Sequence, residues 1–204
     1  DITGSISGLV GIDSLALTGV ELGMTDTDAA IAECVRIGKE AAAEGAILTL
    51  STHMPNMSNA KITATGNLNR PYDFSSCDFS EAKDLSNNCA AQVLPGGAYN
   101  AQFRAYLDII AEYANGLGDI PVLFRPFHEN NGGWFWWGSA ATDAETYKAM
   151  FRYMVDYLTG EKGVHNILYV YSPNGPLTDG AAYLERYPGD DYIDILAFDY
   201  YDDY

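Results

Sequence analysis

The chain has 204 residues, a formal net charge of −17 and apolar side chains at 48% of its positions. That length suits one domain, residues 1–204, with a sizeable core. The scattered acidic excess argues against a nucleic-acid partner, which needs clustered Lys and Arg, and no run of about 18 apolar residues marks a membrane span.

In chain order, the apolar run Leu9 to Leu15 predicts a buried strand, and Asp13 closes it with a polar group. The start, Asp1-Ile2-Thr3-Gly4, has no basic stretch leading into an apolar one, so no signal peptide is read there. Helical spacing follows over Asp26 to Glu44, opened by Thr25 or Asp26 as a cap and stopped at Gly45. Cys34 lies within this pattern and reads as a buried thiol. A second strand is predicted over Ala46 to His53. Cys77 and Cys89 flank a loop-like stretch, and whether they pair cannot be read from sequence.

A long helix is predicted over Tyr99 to Leu117, then a strand over Pro121 to Glu129. A further helix spans Asp143 to Leu158 and ends at Gly160. His165 sits in a turn and reads as solvated. The last predictions are a strand over Asn166 to Asn174, a short helix over Ala181 to Tyr187 and a strand over Tyr192 to Tyr201. The acidic group Asp190, Asp191 and Asp194 reads as a solvated turn, lacking the glycine-centred spacing of a calcium loop.

Alternating strands and helices argue an α/β fold with a parallel sheet. Each predicted strand runs apolar and turns polar at its C-terminal end: Asp13, then Ser51 and His53, then Arg125 and Glu129, then Ser172 and Asn174, then Asp199 and Tyr201. A (β/α)8 barrel assembles its active site from such ends. A doubly wound sheet also binds ligands there, yet no glycine-rich phosphate loop follows the first strand. Five strands cannot close an eight-stranded barrel, so part of it is expected to lie outside this chain.

The densest segment is Arg125-Pro126-Phe127-His128-Glu129-Asn130-Asn131-Gly132-Gly133-Trp134-Phe135-Trp136-Trp137-Gly138, which holds all 3 tryptophans of the chain. Aromatic residues clustered in a loop line a pocket more often than they decorate a surface. A carboxyl held among them has its neutral form favoured and can then donate a proton. Arg125, on the same predicted face, would oppose this if it lay close. A plainer alternative is an aromatic hinge whose Glu129 forms an ion pair with Arg125. A metal site from His53, His128 and Glu129 is not supported, because their spacing matches no ligand motif.

This segment resembles the acid/base signature of glycoside hydrolase family 26, in both its Arg-Pro-Phe-His-Glu core and its Trp-Phe-Trp-Trp-Gly half. Supporting resemblances are Leu9-Val10-Gly11-Ile12-Asp13, Thr49-Leu50-Ser51-Thr52-His53-Met54-Pro55-Asn56, Tyr171-Ser172-Pro173-Asn174, Tyr187-Pro188-Gly189-Asp190-Asp191-Tyr192-Ile193-Asp194 and Phe198-Asp199-Tyr200-Tyr201. The resemblance implies a (β/α)8 barrel, of which strands two to six are present, and a retaining endo-β-1,4-mannanase acting on mannan, glucomannan or galactomannan without a cofactor.

It implies Glu129 as general acid/base, His128 beside it, Trp134 stacking at the cleaved bond and His53 near the preceding sugar. Tyr201 would lie near the nucleophile, with Asp199 as a supporting residue. No residue here matches the family's nucleophile, a glutamate ending strand seven, so the isolated chain is expected to be inactive. A secreted or cell-surface location fits such a substrate. Rival expectations are a family 26 hydrolase of β-1,3-xylan or mixed-linkage β-glucan, and a non-catalytic carbohydrate-binding domain.

Overall fold

A computed structural model describes residues 7–63 and 70–201 of the chain. The main elements are β1 (Leu9–Asp13), α1 (Thr27–Ala43), β2 (Ile47–Ser51), α2 (Asn100–Leu117), β3 (Val122–Arg125), α3 (Ala144–Asp156), β4 (Ile167–Tyr171) and β5 (Ile195–Leu196). The five strands form one sheet in the order β1-β2-β3-β4-β5, and every neighbouring pair is parallel. Sequential order means that each crossover advances in the same direction. The sheet is therefore singly wound, an arc of a (β/α)8 barrel, and the doubly wound alternative is excluded, since that fold reverses its strand order.

Side-chain alternation divides the sheet into two faces. Leu48, Leu50, Val122, Phe124, Tyr169 and Tyr171 join Cys34, Phe103, Ile110 and Phe151 of the helices in one continuous core. The opposite face carries Leu9, Ile47 and Leu168 exposed near the N-terminal strand ends. Further along it turns polar, where Asp13 is in register with Ser51 and Ser51 with Arg125. Helices α1 and α2 pack closely because Gly116 has no side chain: a Cβ there would lie 2.8 Å from Cγ2 of Val35.

Asp26 is the cap of α1, accepting from the backbone N–H of Asp28 and Ala29 at 3.0 and 3.2 Å. Gly45 follows the helix with φ +91°, as its stop residue. Helix α3 ends at Asp156 and runs into a wider π turn, Tyr157–Glu161. Short helical turns not expected from the pattern occur at Ser14–Leu17, Phe79–Ala82 and Cys89–Gln92, and a small antiparallel pair joins Lys61–Ile62 to Tyr72–Asp73. The last helix is displaced slightly from its expected position, to Gly180–Leu184.

All five predicted strands are shorter than expected, two of them for reasons visible in the backbone. The segment Pro121 to Glu129 keeps strand form only to Arg125, because Pro126 has no N–H to offer and Phe127 turns to φ +47°. The segment Tyr192 to Tyr201 has only Ile195–Leu196 as strand, followed by one bridge between Asn174 and Asp199. The Asp194 carboxylate accepts the Tyr169 N–H at 2.8 Å, taking the place of a strand carbonyl. Asp194 is thus a pairing group of the sheet rather than part of a solvated turn. Cys34, Cys77 and Cys89 are buried free thiols, so Cys77 and Cys89 are not joined.

Candidate active site

The polar ends of the strands converge around the loop that follows β3. Glu129 is 8% exposed and lies at φ +54°, in the left-handed region that a side chain with a Cβ rarely adopts. Phe127, two residues earlier, is also left-handed. Such strain persists only where the surroundings over-determine it, and it concentrates at functional sites. Here the Glu129 N–H donates to the Ser172 carbonyl at 2.7 Å, and the Gly132 N–H donates to the Glu129 carbonyl at 2.9 Å. Across the loop, Asn131 and Asn174 exchange two bonds: Nδ2 of Asn131 to the Asn174 carbonyl at 2.8 Å, and the Asn174 N–H to Oδ1 of Asn131 at 2.7 Å.

The three tryptophans divide their tasks. Trp136 and Trp137 are buried, donating their indole N–H groups to the carbonyls of Met54 at 2.9 Å and His128 at 2.8 Å. Trp134 is 40% exposed and donates its N–H to Oε2 of Glu129 at 2.7 Å. A Cβ on Gly132 would lie 2.4 Å from Cζ2 of Trp134, so only glycine leaves room for the indole to lie over the loop. Phe135 stacks on Trp137 with centroids 4.5 Å apart, giving the loop an apolar floor.

His53 and His128 meet edge to face with ring centroids 4.8 Å apart. Nδ1 of His53 lies 2.8 Å from Oδ2 of Asp13, an arrangement that keeps the His53 proton on that nitrogen. Burial pushes the Asp13 carboxyl up, but the hydrogen bond and charge of His53, with the N–H groups of Leu15 and His53, outweigh it and hold the carboxyl below its ordinary value. His128 is 3% exposed; burial, with Arg125 and His53 nearby, pushes its imidazole down to about 3, so it is neutral at neutral pH. Phe79 packs edge-on against His53 at 4.6 Å.

Arg125 does not pair with Glu129. Its Nη1 reaches both carboxylate oxygens of Asp199, at 2.7 and 2.8 Å, and Ser172 donates to the same carboxylate at 2.8 Å. The expected sharing of a face by Arg125 and Glu129 fails because the chain leaves the strand after Arg125. The ion-pair alternative for Glu129 fails with it. Tyr201 is 78% exposed at the rim, and its phenol is raised chiefly by the charge of Glu129, then by burial and Asp199.

Glu129, Trp134, His128, His53, Asp199 and Tyr201 therefore gather at one end of the sheet. Asp13, Arg125 and Ser172, all noted as strand-end residues, prove to be the groups that orient them. Phe79 and Phe135 pack against His53 at the same end of the sheet; Phe135 belongs to the aromatic run, while nothing in the sequence signals Phe79.

A carboxyl group at the C-terminal mouth of parallel strands, beside an indole with an open face, stands where a (β/α)8 barrel builds its active site. The family model for "Glycosyl hydrolase family 26" matches residues 1–204, and the chain belongs to that family. A mannan endo-1,4-beta-mannosidase of Bifidobacterium adolescentis is 38% identical over 214 residues, an alignment covering 99% of this chain and 19% of that protein. The solved catalytic domain of a GH26 endo-beta-1,4-mannanase from Bacillus sp. JAMB-750 superposes with a TM-score of 0.82 at 38% identity, covering 98% of this chain and 49% of that one. A modular endo-beta-1,4-mannanase from Cellulomonas fimi gives a TM-score of 0.82 at 35% identity, covering 98% of this chain and 42% of that one. The chain thus spans about half the length of these solved structures or less.

Proposed function

We propose that this chain carries the acid/base half of a retaining endo-β-1,4-mannanase acting on mannan, glucomannan or galactomannan. The observation that carries the reading is the buried Glu129 carboxylate, bonded to an indole whose face stays open to a ligand. In this reading Glu129 donates its proton to the leaving oxygen and then takes one from water. Trp134 stacks on the sugar at the cleaved bond. Neutral His128 and the Asp13-oriented His53 line the position before it, and Tyr201 stands at the nucleophile side.

A retaining hydrolase needs a second carboxylate about 5–5.5 Å from the first. Among the described residues, the two strand-end aspartates beside the site are already engaged, Asp13 with His53 and Ser51, and Asp199 with Arg125 and Ser172. The nucleophile is accordingly assigned to the rest of the barrel, and the 204-residue chain alone is inactive on mannan. A polymeric substrate of this size places the enzyme outside the cell or at its surface.

The test compares the intact enzyme that contains this segment with its Glu129→Gln variant and with the isolated chain. Turnover of mannan by the intact enzyme, loss of it with retained oligosaccharide binding in Glu129→Gln, and none in the isolated chain support the reading. Turnover unaffected by Glu129→Gln defeats it. A protein that binds mannan but cleaves nothing in its intact form is a binding domain. Preference for β-1,3-xylan or mixed-linkage β-glucan over mannan moves the substrate but leaves the chemistry.

A further inference from the structure

Arg186, just beyond the Gly180–Leu184 helix, is 4% exposed and makes no salt bridge with a carboxylate among the described residues. Its Nε finds no acceptor there either. Burial lowers its pKa. Taking a cation out of water costs free energy that the contacts it does make must offset.

Its two favourable contacts are informative. Nη2 donates to the Trp137 carbonyl at 3.2 Å, and the guanidinium carbon lies 4.9 Å from the centroid of the Tyr147 ring. These are the two residues that hold the backbone immediately before Glu129. The Trp137 indole N–H donates to the His128 carbonyl at 2.8 Å, and the Tyr147 hydroxyl donates to the Phe127 carbonyl at 3.1 Å. Both donors are buried. The two carbonyls lie within the stretch from Phe127 to Glu129, both of whose ends are left-handed, the backbone that most needs external support.

We propose that Arg186 is a positioning residue for Glu129, bracing Trp137 and Tyr147 together so that their donors fix the two carbonyls before it and aim its carboxyl at the leaving oxygen. This rests on the reading of Glu129 as acid/base. Arg186 itself touches no substrate.

A brace for the acid has a signature that a merely structural residue lacks. When the glycosidic C–O bond breaks, a sugar leaving group must take a proton from Glu129, whereas a dinitrophenolate leaves as the anion and needs none. In the intact enzyme, the variants are Arg186→Met, Arg186→Lys and Tyr147→Phe. The readings are kcat and KM on mannohexaose, and the pre-steady-state burst of dinitrophenolate from 2,4-dinitrophenyl β-mannobioside.

Arg186→Met and Tyr147→Phe are expected to lower kcat on mannohexaose about 100-fold, the scale of a small misplacement of a reacting group, with KM little changed and the burst rate as in the parent. Arg186→Lys recovers part of the loss, since an ammonium group can brace one neighbour but has no planar fork to span both. Equal losses on both substrates, or no loss on either, overturn the proposal. If Arg186→Met fails to fold, the other two variants decide by the same criteria. Glu129→Gln separates the two readings: it should lose mannohexaose turnover and keep the burst. Should mannohexaose turnover survive it, the acid/base assignment fails on its own account.

Discussion

Trp134 and Glu129 form the hinge of the site: the indole N–H donates to Oε2 at 2.7 Å while the ring itself stays 40% exposed. One side chain thereby holds the carboxyl and leaves a ring face open to a ligand. Trp134→Phe keeps the face and removes the donor. In the intact enzyme this should cost about 1.5–3 kcal/mol of transition-state stabilisation, the worth of a hydrogen bond to a charged group, read as lower kcat with KM nearly unchanged. Trp134→Ala removes both and should also raise KM. Gly132→Ala should resemble it, because the added methyl occupies the space of the indole. Parent-like kcat in Trp134→Phe would separate the bond from catalysis.

Asp199 is held in place by its partners. With Arg125 and Ser172 both on its carboxylate, its charge is committed to the ion pair. Asp199→Asn should destabilise the fold by about 2 kcal/mol, less than the ~3–5 of a fully buried pair, because the Arg125 side chain is 30% exposed. Thermal denaturation measures this. Kinetically, Asp199→Ala should leave residual turnover that azide does not restore. Azide rescue with formation of an α-mannosyl azide would make Asp199 the nucleophile instead.

His128 links the site to pH. Its imidazole sits at about 3 in the folded chain, against an ordinary value of about 6.5. Above about 6.5 both folded and unfolded chains hold it neutral, and its contribution to stability is complete. As pH falls from about 6.5 towards 3, the unfolded chain takes up the proton first, and that contribution is progressively lost. The stability of the parent should therefore fall through this window more steeply than that of His128→Asn, by up to one bound proton. An NMR titration gives the direct check: the His128 ring signals should stay constant from pH 7 down to about 4.5, and a midpoint near 6.5 would refute the burial argument.

The thiols offer a test of the core. Cys34, Cys77 and Cys89 are buried and free, and burial pushes Cys34 and Cys77 up to about 11 and Cys89 to about 12. The native protein should react negligibly with a thiol reagent at neutral pH and titrate three thiols once unfolded. A count of one under denaturing, non-reducing conditions would mean that two of them had paired.

The sequence by itself determined the strand–helix alternation, the Asp26 cap and Gly45 stop of α1, and the family to which the Arg125–Gly138 segment belongs. These are legible because they rest on local periodicity, on the capping chemistry of single residues and on an unusual run of tryptophans. Tertiary structure alone decided who partners whom. Arg125 turned to Asp199, 74 positions away, rather than to Glu129, because Pro126 and the left-handed Phe127 took the chain out of the strand. His53 found Asp13, Asp194 took over a strand carbonyl, and Arg186 came to lie behind the Glu129 loop. Contacts of that kind depend on strand register and on where each crossover returns, and no window of neighbouring residues encodes either.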